Sequence, residues 1–206
     1  GFVHFARDSK EATNVVIEIA RSRGVKLVVK SKSMVSEEMA LNHALEAQGI
    51  ESVETDLGEY IIQLADETPF HLVAPATHKS KEEVAQLFSE KLGKRRLNSI
   101  SALTQETRRT LRPKFLEAGM GITGVNFAVA ETGTIAIFTN EGNGGLSTSL
   151  PRIHVAIMGM EKVVPALEDM AVMLRLLPRA ATGQHITSYV NLVSGPRRRT
   201  DEDGPE

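Results

Sequence analysis

Three apolar segments with the composition of buried strands are each followed by a polar loop. The loops read "KSKSM" after "KLVV", "TDLGE" after "ESVE" and "PATHKS" after "HLVA". The first loop offers lysines and a serine to an anion, the second offers carboxylates, and the third offers a histidine and a lysine. The side chains concerned are Lys30, Lys32, Ser33, Asp56, Glu59, His78 and Lys79. Taken alone, each loop is better explained as a solvated connection with a helix cap.

A fourth polar loop follows the apolar run "TIAIF" and contains Asn140, Glu141 and Asn143 among three glycines. Glycines remove side-chain bulk, so backbone amides in such a loop can approach a bound ligand. The same polar side chains can instead bond to local backbone groups and stabilise a tight connection. Both interpretations stay open.

Glu131 lies in the segment "ETG", between two runs that alternate apolar residues. That pattern predicts a β-hairpin with Glu131 at its turn. A carboxylate facing a pocket from this position could act as a nucleophile or a general base. The alternative is a turn residue in solvent.

The standard catalytic motifs are missing or misplaced. "GMGITG" (residues 119–124) fits the dinucleotide pattern, but it follows a predicted helix and enters a strand, which is the reverse of the required order. The sequence contains no Walker loop, zincin motif or nucleophile elbow. The six histidines are dispersed, and we predict no metal site. His154, in an apolar run, is expected to be a satisfied core or interface residue.

Composition narrows the possible classes of protein. The 206 residues carry a net charge of −2, which gives no reason to expect nucleic acid or an anionic membrane as the main partner. No apolar run approaches the roughly 18 residues of a membrane span. Without cysteine, these residues hold no disulfide, thiolate nucleophile or cysteine-ligated cluster.

The order of elements predicts an α/β fold with a mainly parallel sheet, flanking helices and one β-hairpin. We predict one helix over residues 35–49, a strand over 70–74, and a helix over 104–118 that Pro113 kinks or shortens. A further amphipathic helix from Val163 is expected to end at Pro178. In a parallel sheet, the polar loops should leave the same edge and line one pocket.

Several long segments resemble the lactate-utilization (LUD) domain family, as it occurs in the B subunits of bacterial L-lactate utilization systems. They include "SKSMVSEEMALNHALEAQGIESVETDLGEYIIQLADETPFHLVAPATHKS" and "ETRRTLRPKFLEAGMGITGVNFAVAETGTIAIFTNEGNGGLSTSLPRIHVAIMGMEKVVPALEDM". The resemblance covers residues 9–195. It implies a fold similar to the ribose-5-phosphate isomerase/CoA-transferase-like (NagB/RpiA) superfamily.

The resemblance also implies a function: oxidation of L-lactate to pyruvate in the cytoplasm, together with two other subunits. The family's B subunit continues into a cysteine-rich region that carries 4Fe–4S clusters. We therefore expect a LUD domain over residues 1–195 and a charged linker over 196–206 that leads to a cluster region outside this chain. Within these residues we expect no cofactor.

The matching motifs "SKSM", "TDLGE", "NF", "AETGT" and "NEGN" supply the pocket candidates. Glu131 is the catalytic candidate. The ligand-binding candidates are Lys32, Ser33, Asp56, Glu59, Asn126, Asn140, Glu141 and Asn143. We expect a small carboxylate or another anion to bind Lys32 and backbone amides. Two alternatives remain: a free-standing enzyme similar to CoA-transferases or cyclo-ligases, and a structural docking module.

Overall fold

The structure is a computed structural model that describes residues 1–71, 74–93, 95–200, 202 and 204–206. Within these residues the strands form two four-stranded sheets. The strands are β1 (Leu27–Lys30), β2 (Glu51–Glu54), β3 (Met120–Gly124), β4 (Phe127–Val129), β5 (Thr134–Thr139), β6 (Ile153–Ile157), β7 (Val163–Val164) and β8 (Tyr189–Val193). The helices are α1 (Ser9–Ser22), α2 (Met34–Glu38), α3 (Leu41–Glu46), α4 (Leu57–Ala65), α5 (Lys81–Leu92), α6 (Ile100–Glu117), α7 (Asn143–Ser149) and α8 (Leu167–Thr182).

The first sheet has the spatial order β2-β1-β3-β6, and all its neighbouring strands are parallel. Its central strand β1 is buried along its whole length, as expected for a strand covered on both faces. Alternate residues serve opposite faces: Leu27 and Val29 pack with α4, α5 and α6, while Val28 packs with α1 and α3. The carboxyl ends of β1 and β2 therefore lie side by side.

The second sheet has the order β7-β4-β5-β8 and is mixed. β4 and β5 form the predicted antiparallel hairpin, and β8 adds antiparallel to β5. Helix α8 covers one face through Met170 and Leu174, which pack against Val129, Ala136 and Val164. The predicted α/β fold with a parallel sheet and a β-hairpin is thus confirmed, and the hairpin belongs to a second, mixed sheet.

Local sequence signals explain most helix starts. Ser80 and Glu83 form a complete capping box at α5, and Asp56 caps α4 by accepting a hydrogen bond from the amide of Gly58. Ser33 caps α2 in the same way. Two of these caps lie in the polar loops at the carboxyl edge of the first sheet, so these loops are fixed by the helices that follow them.

Two predictions about elements need correction. The helix expected over residues 35–49 is broken into α2 and α3 at Ala40, which has a left-handed φ of 49°. Helix α8 continues past Pro178 to Thr182, because the helix tolerates the one lost amide donor while the proline ring is buried. Pro113 lies inside α6, which continues to Glu117, and the kink expected there stays a prediction.

Two further predictions concern residues 70–74 and 119–124. Of the strand expected over 70–74, Phe70 and His71 are in a bend, and residues 72 and 73 lie outside the described residues. Residues 120–124 of "GMGITG" are themselves strand β3, whereas the sequence predicts a strand only after this segment, and the segment opens no helix. Gly121 is needed there, because a Cβ atom added to it would lie 1.8 Å from the carbonyl oxygen of Ser147 in α7.

Candidate functional site

A buried ion pair lies at the carboxyl edge of the first sheet. Lys30 and Glu54 are register partners on β1 and β2, and Lys30 Nζ is 2.7 Å from Glu54 Oε1. Their side chains are only 1% and 4% exposed. Ser36 accepts a hydrogen bond from Lys30 Nζ at 3.0 Å, and Asn42 donates one to Glu54 Oε1 at 2.7 Å. Glu54 Oε2 has no partner among the described residues.

A second ion pair is formed by two residues that follow Lys30 and Glu54 in the sequence. Lys32 Nζ, after β1, is 2.7 Å from Glu59 Oε1 in the first turn of α4. The Glu59 side chain is 3% exposed and that of Lys32 is 27% exposed, so the lysine is the member that solvent reaches. Asp56, the cap of α4, is only partly buried. We call Lys30, Lys32, Glu37, Glu54, Asp56 and Glu59 the strand-end cluster.

The electrostatics of the cluster raise two carboxyl pKa values. Burial raises the pKa of Asp56 to about 7, and the hydrogen bond with Glu59 and the charge of Glu59 act in the same direction. The amide of Gly58 and the charge of Lys32 oppose this shift. Burial is also the main cause that raises the pKa of Glu37. Four carboxyl groups face two lysines in the cluster, which therefore tends to hold protons.

The structure brings two further predicted residues to the same edge. Asn143 Nδ2 donates to Thr55 Oγ1 at 3.4 Å, and Thr55 Oγ1 donates to the carbonyl oxygen of Lys30 at 2.9 Å. Asn143 Oδ1 is buried and has no partner among the described residues. Ser33 lies against the end of β3, where a Cβ added to Gly124 would be 3.0 Å from Ser33 Oγ. Segments distant in sequence thus meet at this edge.

Three other candidates make local structural contacts. Asn126 Oδ1 accepts a hydrogen bond from the amide of Phe138 at 2.8 Å, which ties the start of β4 to β5. Asn140 bonds to the side chain of Gln184 and to the amide of Ser188. Glu141 bonds to Thr139 within its own loop. A ligand-binding role for Asn126, Asn140 and Glu141 stays a prediction.

Glu131 lies at the exposed turn of the β4–β5 hairpin, where its amide donates to the carbonyl oxygen of Pro165. The hairpin carries it five residues beyond Asn126, which is roughly 16 Å of extended chain. Its catalytic role stays a prediction. In the third polar loop, both His78 and Lys79 bond to Glu67, at 2.9 and 2.6 Å.

The sequence analysis missed the buried layer under the predicted site. Glu54, Thr55 and Asn42 were not candidates, and Lys30 was noted only as part of its loop. A signal was present: Lys30 and Glu54 each end a short strand-like segment, and a charge in such a position must be paired when it is buried. What the sequence lacked was the order of the strands, which makes these two residues neighbours.

The family resemblance places the iron–sulfur clusters in a region outside this chain. The chain itself contains no cysteine to ligate one. Within the described residues, no group of three or more histidine, aspartate or glutamate side chains could hold a metal ion. In the same part of the chain, no helix has the length and apolar character that a membrane crossing requires.

Residues 1–205 match the family model described as the LUD domain, so the chain belongs to the LUD domain family. Among its relatives are proteins named "Lactate utilization protein B". The chain is 47% identical to the one from Bacillus licheniformis over 207 residues, 50% identical to that of Bacillus cytotoxicus over 206, and 46% identical to that of Bacillus subtilis over 207. Each comparison covers 100% of this chain but 43% of the relative, so the chain spans less than half the length of these curated relatives. No solved structure matches the chain.

Proposed function

We propose that this chain is the LUD domain of the B subunit of a lactate-utilization iron–sulfur oxidoreductase complex. In this proposal the complex is cytoplasmic, contains two other subunits, and oxidises L-lactate to pyruvate. The clusters belong to a part of the subunit outside this chain, and no electron-transfer step is assigned to the residues described here. The similarity to proteins named for lactate utilization supports the proposal.

Within that function, the strand-end cluster binds the small carboxylate. One observation carries this proposal: Lys32 and Asp56 lie on neighbouring loops at the carboxyl edge of a parallel sheet, over buried charges that hold both loops in place. This is the edge at which open α/β sheets bind ligands. The ammonium group of Lys32 suits the carboxylate of the ligand.

We propose that Asp56 binds the hydroxyl group of the α-hydroxy acid whose carboxylate binds Lys32. The carboxyl group of Asp56, on the loop beside that of Lys32, can hydrogen-bond to the hydroxyl group of L-lactate as a donor or as an acceptor. The free-standing enzyme and the docking module remain alternatives that no specific contact in the structure favours.

Isothermal titration calorimetry of the chain with L-lactate and with pyruvate tests the proposal. We expect Lys32→Met to weaken the binding of both by at least about tenfold, since a hydrogen bond to a charged group contributes about 1.5–3 kcal/mol. Lys79→Met is the matched control, because Lys79 lies on the next loop and bonds to Glu67. Binding that is equal in Lys32→Met and the wild type, or no binding to the wild type at millimolar ligand, would contradict the proposed site.

A further inference from the structure

The Lys32–Glu59 ion pair joins an accessible cation to an inaccessible anion. Glu59 Oε1 accepts from Lys32 at 2.7 Å, while Glu59 Oε2 is buried and has no partner among the described residues. Lys32 is about a quarter exposed. A ligand can therefore reach the lysine from solvent, whereas Glu59 depends on groups already inside the protein.

A carboxylate that binds Lys32 must compete with Glu59 for the same ammonium group. If it wins, the carboxylate of Glu59 loses its cation while it remains buried. Leaving a buried charge without its partner costs several kcal/mol, which would cancel the gain from a new surface contact. Binding therefore requires that the negative charge of Glu59 be compensated in another way.

A proton is the compensation that the surroundings favour. Asp56 caps α4 and Glu59 lies in the first turn of the same helix, and the neighbouring Glu59 carboxyl group is one of the causes that raise the pKa of Asp56. The other charged groups of the cluster are Lys30, Glu37 and Glu54, and Lys30 is already paired with Glu54. No spare cation of the cluster is thus left for Glu59, and one shared proton would satisfy both carboxyl groups.

We propose that the strand-end site binds a carboxylate together with one proton, which the Asp56–Glu59 pair takes up as Lys32 changes partner from Glu59 to the ligand. This inference rests on the proposed function, since it assumes that the site binds small carboxylates. The proton comes from solvent, Lys32 stays charged throughout, and the net charge of the protein–ligand complex equals that of the free protein.

The proposal fixes how the affinity depends on pH. Asp56 has a pKa of about 7 in the free protein, so at pH 8 the pair holds no proton and must take one up. The affinity for a carboxylate then falls about tenfold for each pH unit above 7. Near pH 6 the pair already shares a proton, and the affinity is nearly independent of pH.

Calorimetric titration with pyruvate, in buffers that differ in ionisation enthalpy, measures the number of protons taken up. We expect close to one proton per pyruvate in the wild type at pH 8, and close to none at pH 6. In Glu59→Gln, the ligand no longer displaces Lys32 from a buried carboxylate at position 59, so we expect no proton uptake at either pH and binding at least about tenfold tighter at pH 8. Glu67→Gln, which alters the exposed partner of Lys79, is the matched control and should behave as the wild type.

The outcomes separate this inference from the proposed function. Pyruvate binding without proton uptake in the wild type at pH 8, or uptake that persists in Glu59→Gln, overturns the inference and leaves the carboxylate site intact. No binding to either protein overturns both. If Glu59→Gln does not fold, Asp56→Asn replaces it: the introduced amide donates the hydrogen bond that the proton supplied, so uptake at pH 8 should vanish.

Discussion

At the scale of single residues, Asp56 and His154 are partly buried titratable groups whose pKa values are shifted in opposite directions. Burial raises the pKa of Asp56 to about 7, whereas burial lowers the pKa of His154 to about 4. His154 Nε2 lies 2.8 Å from the hydroxyl of Thr123, so the histidine that was predicted to be a satisfied core or interface residue has a hydrogen-bond partner. The folded state thus holds a proton on Asp56, and lacks one on His154, in pH ranges where the unfolded state does the reverse.

Asp56 should make the protein less stable as the pH rises from 5 to 7. In this range the folded state keeps the proton of Asp56 and the unfolded state has lost it, so the free energy of unfolding falls by up to about 1.4 kcal/mol per pH unit. Asp56→Asn keeps the helix cap and removes the titration. We expect the stability of Asp56→Asn relative to the wild type to increase from pH 5 to pH 7 and then level off, as measured by urea denaturation.

His154→Gln is an internal control, because His154 should change the free energy of unfolding with pH in the direction opposite to Asp56. Between pH 4 and 6.5, His154 is protonated in the unfolded state but not in the folded state. This histidine therefore makes the wild type more stable as the pH rises. Its removal should flatten that increase. A difference between Asp56→Asn and the wild type that does not change with pH would contradict the protonated carboxyl group.

The same residues show how far the sequence predicts the site. Parallel strands place the loops of Lys32 and Asp56 at one edge, and this could be inferred from the order of elements. The partner of each charge could not be inferred. The position of Glu59 depends on where the cap starts α4, and the position of Glu54 depends on β2 lying beside β1. Asn140 carries the same chemical groups as Asn143, yet it bonds to its own protein chain, because amide side chains stabilise loops as readily as they bind ligands.

At the scale of secondary-structure elements, β2 is an edge strand of the first sheet, and one side chain of α4 forms hydrogen bonds with its backbone. Gln63 in α4 accepts a hydrogen bond from the amide of Glu54 at 2.9 Å and donates one to the carbonyl of Ser52 at 2.7 Å. Its amide group thus replaces a neighbouring strand along β2. Covering an edge in this way protects it from pairing with another chain.

Gln63→Leu should destabilise the protein by about 2–3 kcal/mol, because two partly buried backbone groups of β2 lose their partners. Gln86→Leu is the control: Gln86 lies on the exposed face of α5, bonds to Glu90, and should change stability by less than about 0.5 kcal/mol. The measurement is equilibrium denaturation in urea. Equal effects of the two substitutions would show that β2 does not depend on Gln63.

The elements themselves were predicted more reliably than their ends. Apolar periodicity identified most of the helices and strands and the hairpin, because these depend on local spacing. The break at Ala40 was not visible, since it places Asn42 against Ser52 and Glu54 of β2, a contact between distant segments. The continuation of α8 beyond Pro178 likewise depends on burial, which the sequence does not show.

At the scale of the whole molecule, α7 joins the two sheets. It follows β5 of the second sheet and packs against β3 and β6 of the first. The contact is so close that only a glycine fits at position 121, where an added Cβ would clash with the backbone of Ser147. The spatial relation of the hairpin to the strand-end cluster depends on this contact, because Asn143 begins α7.

Gly121→Ala should therefore destabilise the protein by about 3 kcal/mol or more, since a backbone atom cannot move aside as a flexible side chain does. Gly119→Ala is the matched control two residues earlier: its added Cβ would lie 3.4 Å from Val25, which is an ordinary contact. We expect that variant to stay within about 1 kcal/mol of the wild type in thermal or urea denaturation. A Gly121→Ala protein as stable as the Gly119→Ala variant would refute the close junction.

The loop between β5 and α7 has contacts at both of its ends. At one end Asn140 accepts hydrogen bonds from Gln184 and Ser188, which precede β8. Three residues later, Asn143 donates a hydrogen bond to Thr55 beside the strand-end cluster. The loop is thus anchored to both sheets, and its length fixes the distance between the segment that leads into β8 and the carboxyl edge of the first sheet.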